Sequence, residues 1–172
     1  MNFNLDEAVQ ILERMPRSLE GLLAGLSEGW LTMNEGEGTW TVSEVIDHLI
    51  ESERTNWMPR VETILEGEAN PFPPFDRFAH LTSAANPIET KLTEFKEARS
   101  QSLMHLKQVV HSDAQLELKG YHPAFGEVKL KELLATWVVH DFTHLSQITR
   151  VMAERYREDV GPWEAYLGVL KR

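Results

Sequence analysis

Two histidines four residues apart, His140 and His144, lie one turn apart on the same side of any helix that contains them. From there both imidazoles can reach one metal ion. They fall on a stripe with Leu133, Trp137, Gln147 and Val151, so the rings sit on or beside a buried face, where a polar ring needs a partner. Seven histidines in 172 residues will sometimes fall at this spacing by chance, each hydrogen-bonded in the core, and the pair alone does not choose between the two readings. His48 is the third candidate, since it lies beside the apolar stripe of an earlier helix, between Val45 and Leu49. Three neutral imidazoles suit one divalent transition metal, Zn(II) or Ni(II) first and Fe(II) or Mn(II) next. They leave a coordination position open to water or substrate.

Around these three, Gln147 is one turn beyond His144 and suited to orient a ligand or bound water. Asp141, Asp47, Glu44 and Glu51 are candidates for proton transfer, although helix capping and solubility also explain acids at such positions. Trp40, Trp57, Trp137 and Tyr121 are pocket candidates, with aromatic core packing as the alternative. His80, His105 and His111 are expected at the surface, and His122, before Pro123, in a structural turn role. There is no Gly-rich phosphate loop and no GxSxG elbow. The absence of cysteine rules out disulfides, thiolate ligands and a cysteine nucleophile, so any thiol chemistry needs an external thiol.

The elements that must position these residues read as four long amphipathic helices. Leu5, Ala8, Val9, Leu12, Met15, Leu19, Leu22, Leu23 and Leu26 recur at helical steps, giving a first helix over about 5–26 that Pro16 should kink or break. A second begins at Thr41, whose Thr-x-x-Glu spacing to Glu44 forms a capping box, and carries Val42 to Leu65 with a bend at Pro59. Gly67 starts a long connection to Asn86. Asn86, Pro87 and Glu89 start a third helix with the face Ile88, Leu92, Phe95, Arg99, Leu103, Leu106 and Val110. Ser112 to Glu127 reads as a loop, and a last helix runs over about 129–157, ended by Gly161 and Pro162, with 163–170 as a tail that packs back. With no convincing period-two strand, the fold expected is an all-α four-helix bundle with a long crossover connection, one domain over residues 1–172.

Composition agrees with a folded protein: 42% of residues are apolar and 26% charged. The formal charge of −10 disfavours nucleic acid and anionic membranes as partners. No apolar run approaches the roughly 20 residues of a membrane span. The first ten residues, with Asp6 and Glu7, do not read as a signal peptide, so a cytoplasmic location is expected.

The run Trp137-Val138-Val139-His140-Asp141-Phe142-Thr143-His144-Leu145-Ser146-Gln147 resembles the HDxxHxxQ signature of the DinB-like, YfiT-type metalloenzymes. Trp40 to Leu49 resembles the segment with that family's first histidine, His122-Pro123-Ala124-Phe125-Gly126 its turn before the fourth helix, and Gly161 to Leu167 its tail. The resemblance implies a bundle with a crossover, commonly a homodimer, and a metal on His48, His140 and His144. Its relatives include thiol S-transferases using low-molecular-weight thiols and metal-dependent hydrolases. The chain departs from it at Val128-Lys129, where relatives often have Thr, so the fourth helix must be capped otherwise. The implied activity is hydrolysis or thiol S-transfer on a small-molecule substrate. The alternative is a non-enzymatic metal-binding or stress-related helical module.

Overall fold

The structure, a computed structural model, describes residues 3–67, 71–82 and 85–171. Positions 68–70 and 83–84 of the expected long connection lie outside the described residues.

Helix α1 spans Leu5–Leu23, with the Asn4 side chain accepting from the Glu7 N–H. Pro16 lies inside it, so of the kink or break expected there the break does not occur. A proline has no N–H for the carbonyl four residues earlier, here Leu12, and that carbonyl instead accepts from Arg99 Nη1 at 2.9 Å. The helix ends three residues before the expected Leu26, and a short α2 follows over Glu28–Leu31.

Helix α3, Val42–Ser52, begins with the expected capping box: the Thr41 N–H donates to Glu44 Oε2 at 2.7 Å and the Glu44 N–H to Thr41 Oγ1 at 3.2 Å. A π-helical turn over Glu53–Trp57 then leads into α4, Met58–Glu66. The expected bend at Pro59 takes this form. Pro59 has no N–H for the Thr55 carbonyl, and the ladder locally changes register, which turns Glu53, Asn56 and Trp57 all inward. Helix α5 covers Ile88–Val109, with Pro87 rather than Asn86 in the capping position and no side-chain cap.

The stretch read as a loop over 112–127 holds regular structure. A short helix α6, Asp113–Leu116, precedes an antiparallel hairpin of β1, Lys119–His122, and β2, Gly126–Lys129. Four-residue strands are too short to print a period-two pattern, so the sequence gives no sign of them. Phe72 donates its N–H to the Tyr121 carbonyl at 3.0 Å, pinning the long connection to β1. Helix α7, Leu130–Glu154, follows directly, and its start is capped by Glu132 Oε2 accepting from the Lys129 N–H at 2.8 Å. Two 3-10 turns, Gly161–Tyr166 and Gly168–Leu170, form the tail. Leu170 is buried against the bundle, while Trp163 and Tyr166 stay exposed.

The molecule is a four-helix bundle of α1, the α3–α4 rod, α5 and α7. Both α1 and α3 pack on α5 and on α7, so the first and second long helices are diagonal to each other. The apolar core divides in two. Leu12, Trp57, Val61, Ile64, Leu106, Leu134 and Trp137 belong to one half, and Leu19, Val45, Ile46, Phe95, Ile148 and Val151 to the other. Between them in sequence, on the same helices, come the buried polar residues Glu53, Arg99, Asp141 and His144, with His48 one turn before Ser52 on α3. Among the described residues no helix is long and apolar enough to cross a membrane.

Candidate metal centre

His48 comes from α3, and His140 and His144 from α7, which packs against it. The Nε2 atoms of His48 and His140 are 3.2 Å apart, as are those of His140 and His144, and one nitrogen from each ring lies within 4.8 Å of the others. Nitrogens bound to one tetrahedral ion at about 2.0–2.1 Å stand about 3.3 Å apart, so the spacing matches a shared cation. Hydrogen bonding fits less well. A neutral ring nitrogen carries one N–H or one lone pair, enough for one of the two close contacts at His140 and not for both.

The tautomer at His144 is fixed from outside. Gln147 Oε1 lies 2.8 Å from His144 Nδ1. A carbonyl oxygen only accepts, so Nδ1 carries the proton and Nε2 presents its lone pair to the cluster. Burial first, then repulsion from the neighbouring rings, lowers the pKa of His48 to about 3 and of His140 to about 2. Burial likewise lowers that of His144. All three rings are therefore neutral at pH 7, the form that binds metal. Ser52 Oγ lies 3.5 Å from His48 Nε2. Among the described residues, no carboxylate or fourth imidazole joins the cluster.

The open side of the cluster faces a cavity of about 750 Å³ lined by all three histidines and Gln147. Trp40 lies against His48 at 4.8 Å between ring centres, and Trp57 against His140 at 5.0 Å. Phe72, Phe75, Phe78, His122 and Phe125 complete an aromatic wall drawn from the long connection and the hairpin. This volume and lining are those of a small-molecule site.

His80, expected at the surface, is buried. Its ring lies 4.4 Å from Trp40 and 5.1 Å from His48, and neither nitrogen has a hydrogen-bond partner. The connection over 71–82 folds across the end of the histidine cluster and covers it. The signal in the sequence was the aromatic density of that connection, with Phe72, Phe75 and Phe78 preceding His80. Arg60 and Arg77, which also line the cavity, carried no signal, because only the folded connection and α4 bring them to it. His105 lies near the surface, 3.5 Å from Glu62, and His111 is exposed. His122 is in a turn, its Nδ1 accepting from the Ala124 and Phe125 N–H groups.

The other candidates lie elsewhere. Asp141 faces the core, where Arg99 pairs with it through Nη1–Oδ2 at 2.7 Å and Nη2–Oδ1 at 3.0 Å. Arg99 also donates to Glu53 Oε1 from Nε at 2.9 Å and Nη2 at 2.7 Å. Burial raises the Asp141 pKa to about 6, against the lowering by Arg99. Trp137 donates from Nε1 to Glu53 Oε1 at 2.9 Å and stacks on Trp57, so it backs the site through that ring and does not line the cavity. Glu51 accepts from Thr55 Oγ1 at 3.1 Å. Asp47 pairs with Lys91 at 2.6 Å, and Glu44 is occupied in the capping box. Tyr121 is exposed on the hairpin.

A sequence profile of the DinB superfamily matches residues 11–148. A candidate metal-dependent hydrolase of Oceanobacillus iheyensis is 25% identical over 86% of this chain and 86% of its own length. YfiT of Bacillus subtilis, also named as a candidate metal-dependent hydrolase, is 26% identical over 85% of this chain and 83% of its own. The solved structure of YfiT superposes with a TM-score of 0.73 at 25% identity, covering 90% of this chain and 87% of that one. Its description is of a probable metal-dependent hydrolase with an unusual four-helix bundle topology.

Proposed function

Since the chain belongs to the DinB superfamily, we propose that it is a metal-dependent hydrolase acting on a small molecule, with one divalent transition metal held by His48, His140 and His144. The observation that carries this reading is the convergence of three neutral imidazole nitrogens at 3.2 Å spacings beside a cavity of substrate size. Zn(II) or Ni(II) suits such a set first, with Fe(II) or Mn(II) next. When bound, the ion supplies Lewis acidity, which lowers the pKa of a water to about 7 and polarises the bond to be cleaved.

The chain's own residues do the rest. His48, His140 and His144 offer lone pairs because burial keeps them unprotonated. Gln147 holds the His144 ring in the tautomer and orientation that the site needs. Trp40, Trp57 and the phenylalanines of the wall take up the apolar part of a substrate and keep bulk water from it.

Transfer of an external low-molecular-weight thiol to an electrophile is the second reading. It is favoured by a chain with no cysteine and by a cavity of about 750 Å³, large enough for two small reactants. A non-enzymatic metal-binding or stress-related module would call for a closed shell of four protein ligands, and three donors beside a cavity count against it. The family reading extends to a homodimer, which light scattering on the purified protein tests, and to a cytoplasmic location, which cell fractionation tests.

The decisive experiment is elemental analysis of untagged protein beside His48→Ala and His140→Ala. About one metal per chain, lost in both variants, is expected. The loaded protein should then turn over ester or amide substrates, or thiol–electrophile pairs. A parent that binds no Zn(II), Ni(II) or Mn(II) after soaking overturns the reading.

A further inference from the structure

The charges that face the cavity are unequally satisfied. Of the two carboxylates that line it among the described residues, Glu35 is paired with Arg150 at 3.0 Å and Glu132 caps α7. Its two guanidiniums belong to Arg60 and Arg77. Arg77 is exposed and lies over the Phe78 ring at 4.9 Å. Arg60, on α4, is half-buried over the Phe72 ring at 5.3 Å, and its Nε is buried with no hydrogen-bond partner.

A buried guanidinium N–H without an acceptor is costly, and stacking on the Phe72 ring does not satisfy Nε. In a chain with a net charge of −10, carboxylates are plentiful, yet among the described residues none pairs with this arginine. Its missing partner is therefore an acceptor that arrives with the ligand. Arg60 follows Trp57 by one helical turn, and the Trp57 ring stands 5.0 Å from His140. Arg60 and the three histidines line the same cavity, whose wall also holds Trp57 and Phe72.

Building on the reading of this cavity as a substrate site, we propose that the substrate is a small amphipathic carboxylate. Its carboxylate pairs with Arg60, its apolar body lies along Trp57 and Phe72, and its reacting group faces His48, His140 and His144. A planar guanidinium matches a carboxylate in a way a lysine cannot, so Arg60 selects for charge and for shape.

The test is calorimetric titration with 3-phenylpropionate and its neutral isostere 3-phenylpropionamide, on metal-loaded and metal-stripped protein. In the parent the acid should bind about tenfold tighter than the amide or better, in both metal states. In Arg60→Gln the ratio should fall to about 1–2, with metal content unchanged. Arg60→Lys should keep part of the preference, and it carries the test if Arg60→Gln does not fold. Equal binding of acid and amide in the parent, no binding of either, or a preference intact in Arg60→Gln overturns the proposal. So does a preference that disappears with the metal and survives Arg60→Gln, since the carboxylate then sits on the ion. If the parent takes up no metal when soaked and still shows the Arg60-dependent preference, the hydrolase reading falls and this one stands.

Discussion

Gln147 touches the proposed centre through one bond, from His144 Nδ1 to its Oε1, and that bond decides which nitrogen of His144 is free. Gln147→Leu should therefore weaken metal binding by about 10–100-fold in a chelator competition while leaving the melting temperature of the stripped protein nearly unchanged. Unaltered affinity would remove Gln147 from the site. The histidines also predict a pH response. Their folded pKa values, about 3 for His48 and about 2 for His140, lie below the 6.5 of an unfolded histidine. Below pH 6.5 the unfolded chain takes up protons that the folded chain refuses, so the stability these groups contribute is full above 6.5 and is lost as pH falls toward 3. Metal-stripped protein should melt lower at pH 5 than at pH 7.5, and His48→Ala should flatten that difference. At this scale the His140/His144 spacing was legible because a helix converts four residues into one turn. The buried position of His80 was not, because a residue in a long connection carries no periodicity to say which way it faces.

The elements show where local chemistry is sufficient and where it is overridden. Thr41 and Glu44 form their capping box from spacing alone, and Thr41→Ala should cost about 1 kcal/mol in denaturant unfolding. The hairpin of β1 and β2 was invisible in a stretch of turn residues, yet it docks closely. A Cβ on Gly120 would stand 2.6 Å from Ile64 Cγ1 and 2.8 Å from Phe72 Cε1. Gly120→Ala should thus cost about 1–3 kcal/mol and, by moving Phe72 and the hairpin, reshape the cavity wall. A melting temperature equal to the parent's would show that the hairpin packs more loosely than described. Pro16 reads locally as a kink or a break, but the helix is continuous through it, with Arg99, 83 positions later in sequence on α5, supplying the donor that Pro16 lacks.

Across the whole molecule, Arg99 joins the two halves of the core. It binds the Leu12 carbonyl of α1, Glu53 of the π-helical turn and Asp141 of α7, and so ties all four rods at the level of the histidines. Removing one member of a buried charge network costs about 3–5 kcal/mol. Arg99→Met should lose that much at neutral pH, because it leaves two carboxylates buried without their cation. Part of the loss should return as pH falls toward 5, since Asp141 then takes up a proton. Burial already holds Asp141 at about 6 with Arg99 present, so its raised pKa favours the protonated folded state at low pH and opposes folding above. A loss that does not vary with pH would contradict this. From the sequence alone came the four amphipathic helices, the Thr41 cap, Arg99 on an apolar stripe and the three histidines, all written in the 3.6-residue period that the chain imposes on itself. Only the tertiary structure decided that Asp141 turns to Arg99 while His140 turns to the cavity, that His80 is covered, and that Arg60 faces an aromatic wall from the connection and the hairpin. Those relations join residues tens of positions apart, and packing between rods, not spacing along one, sets them.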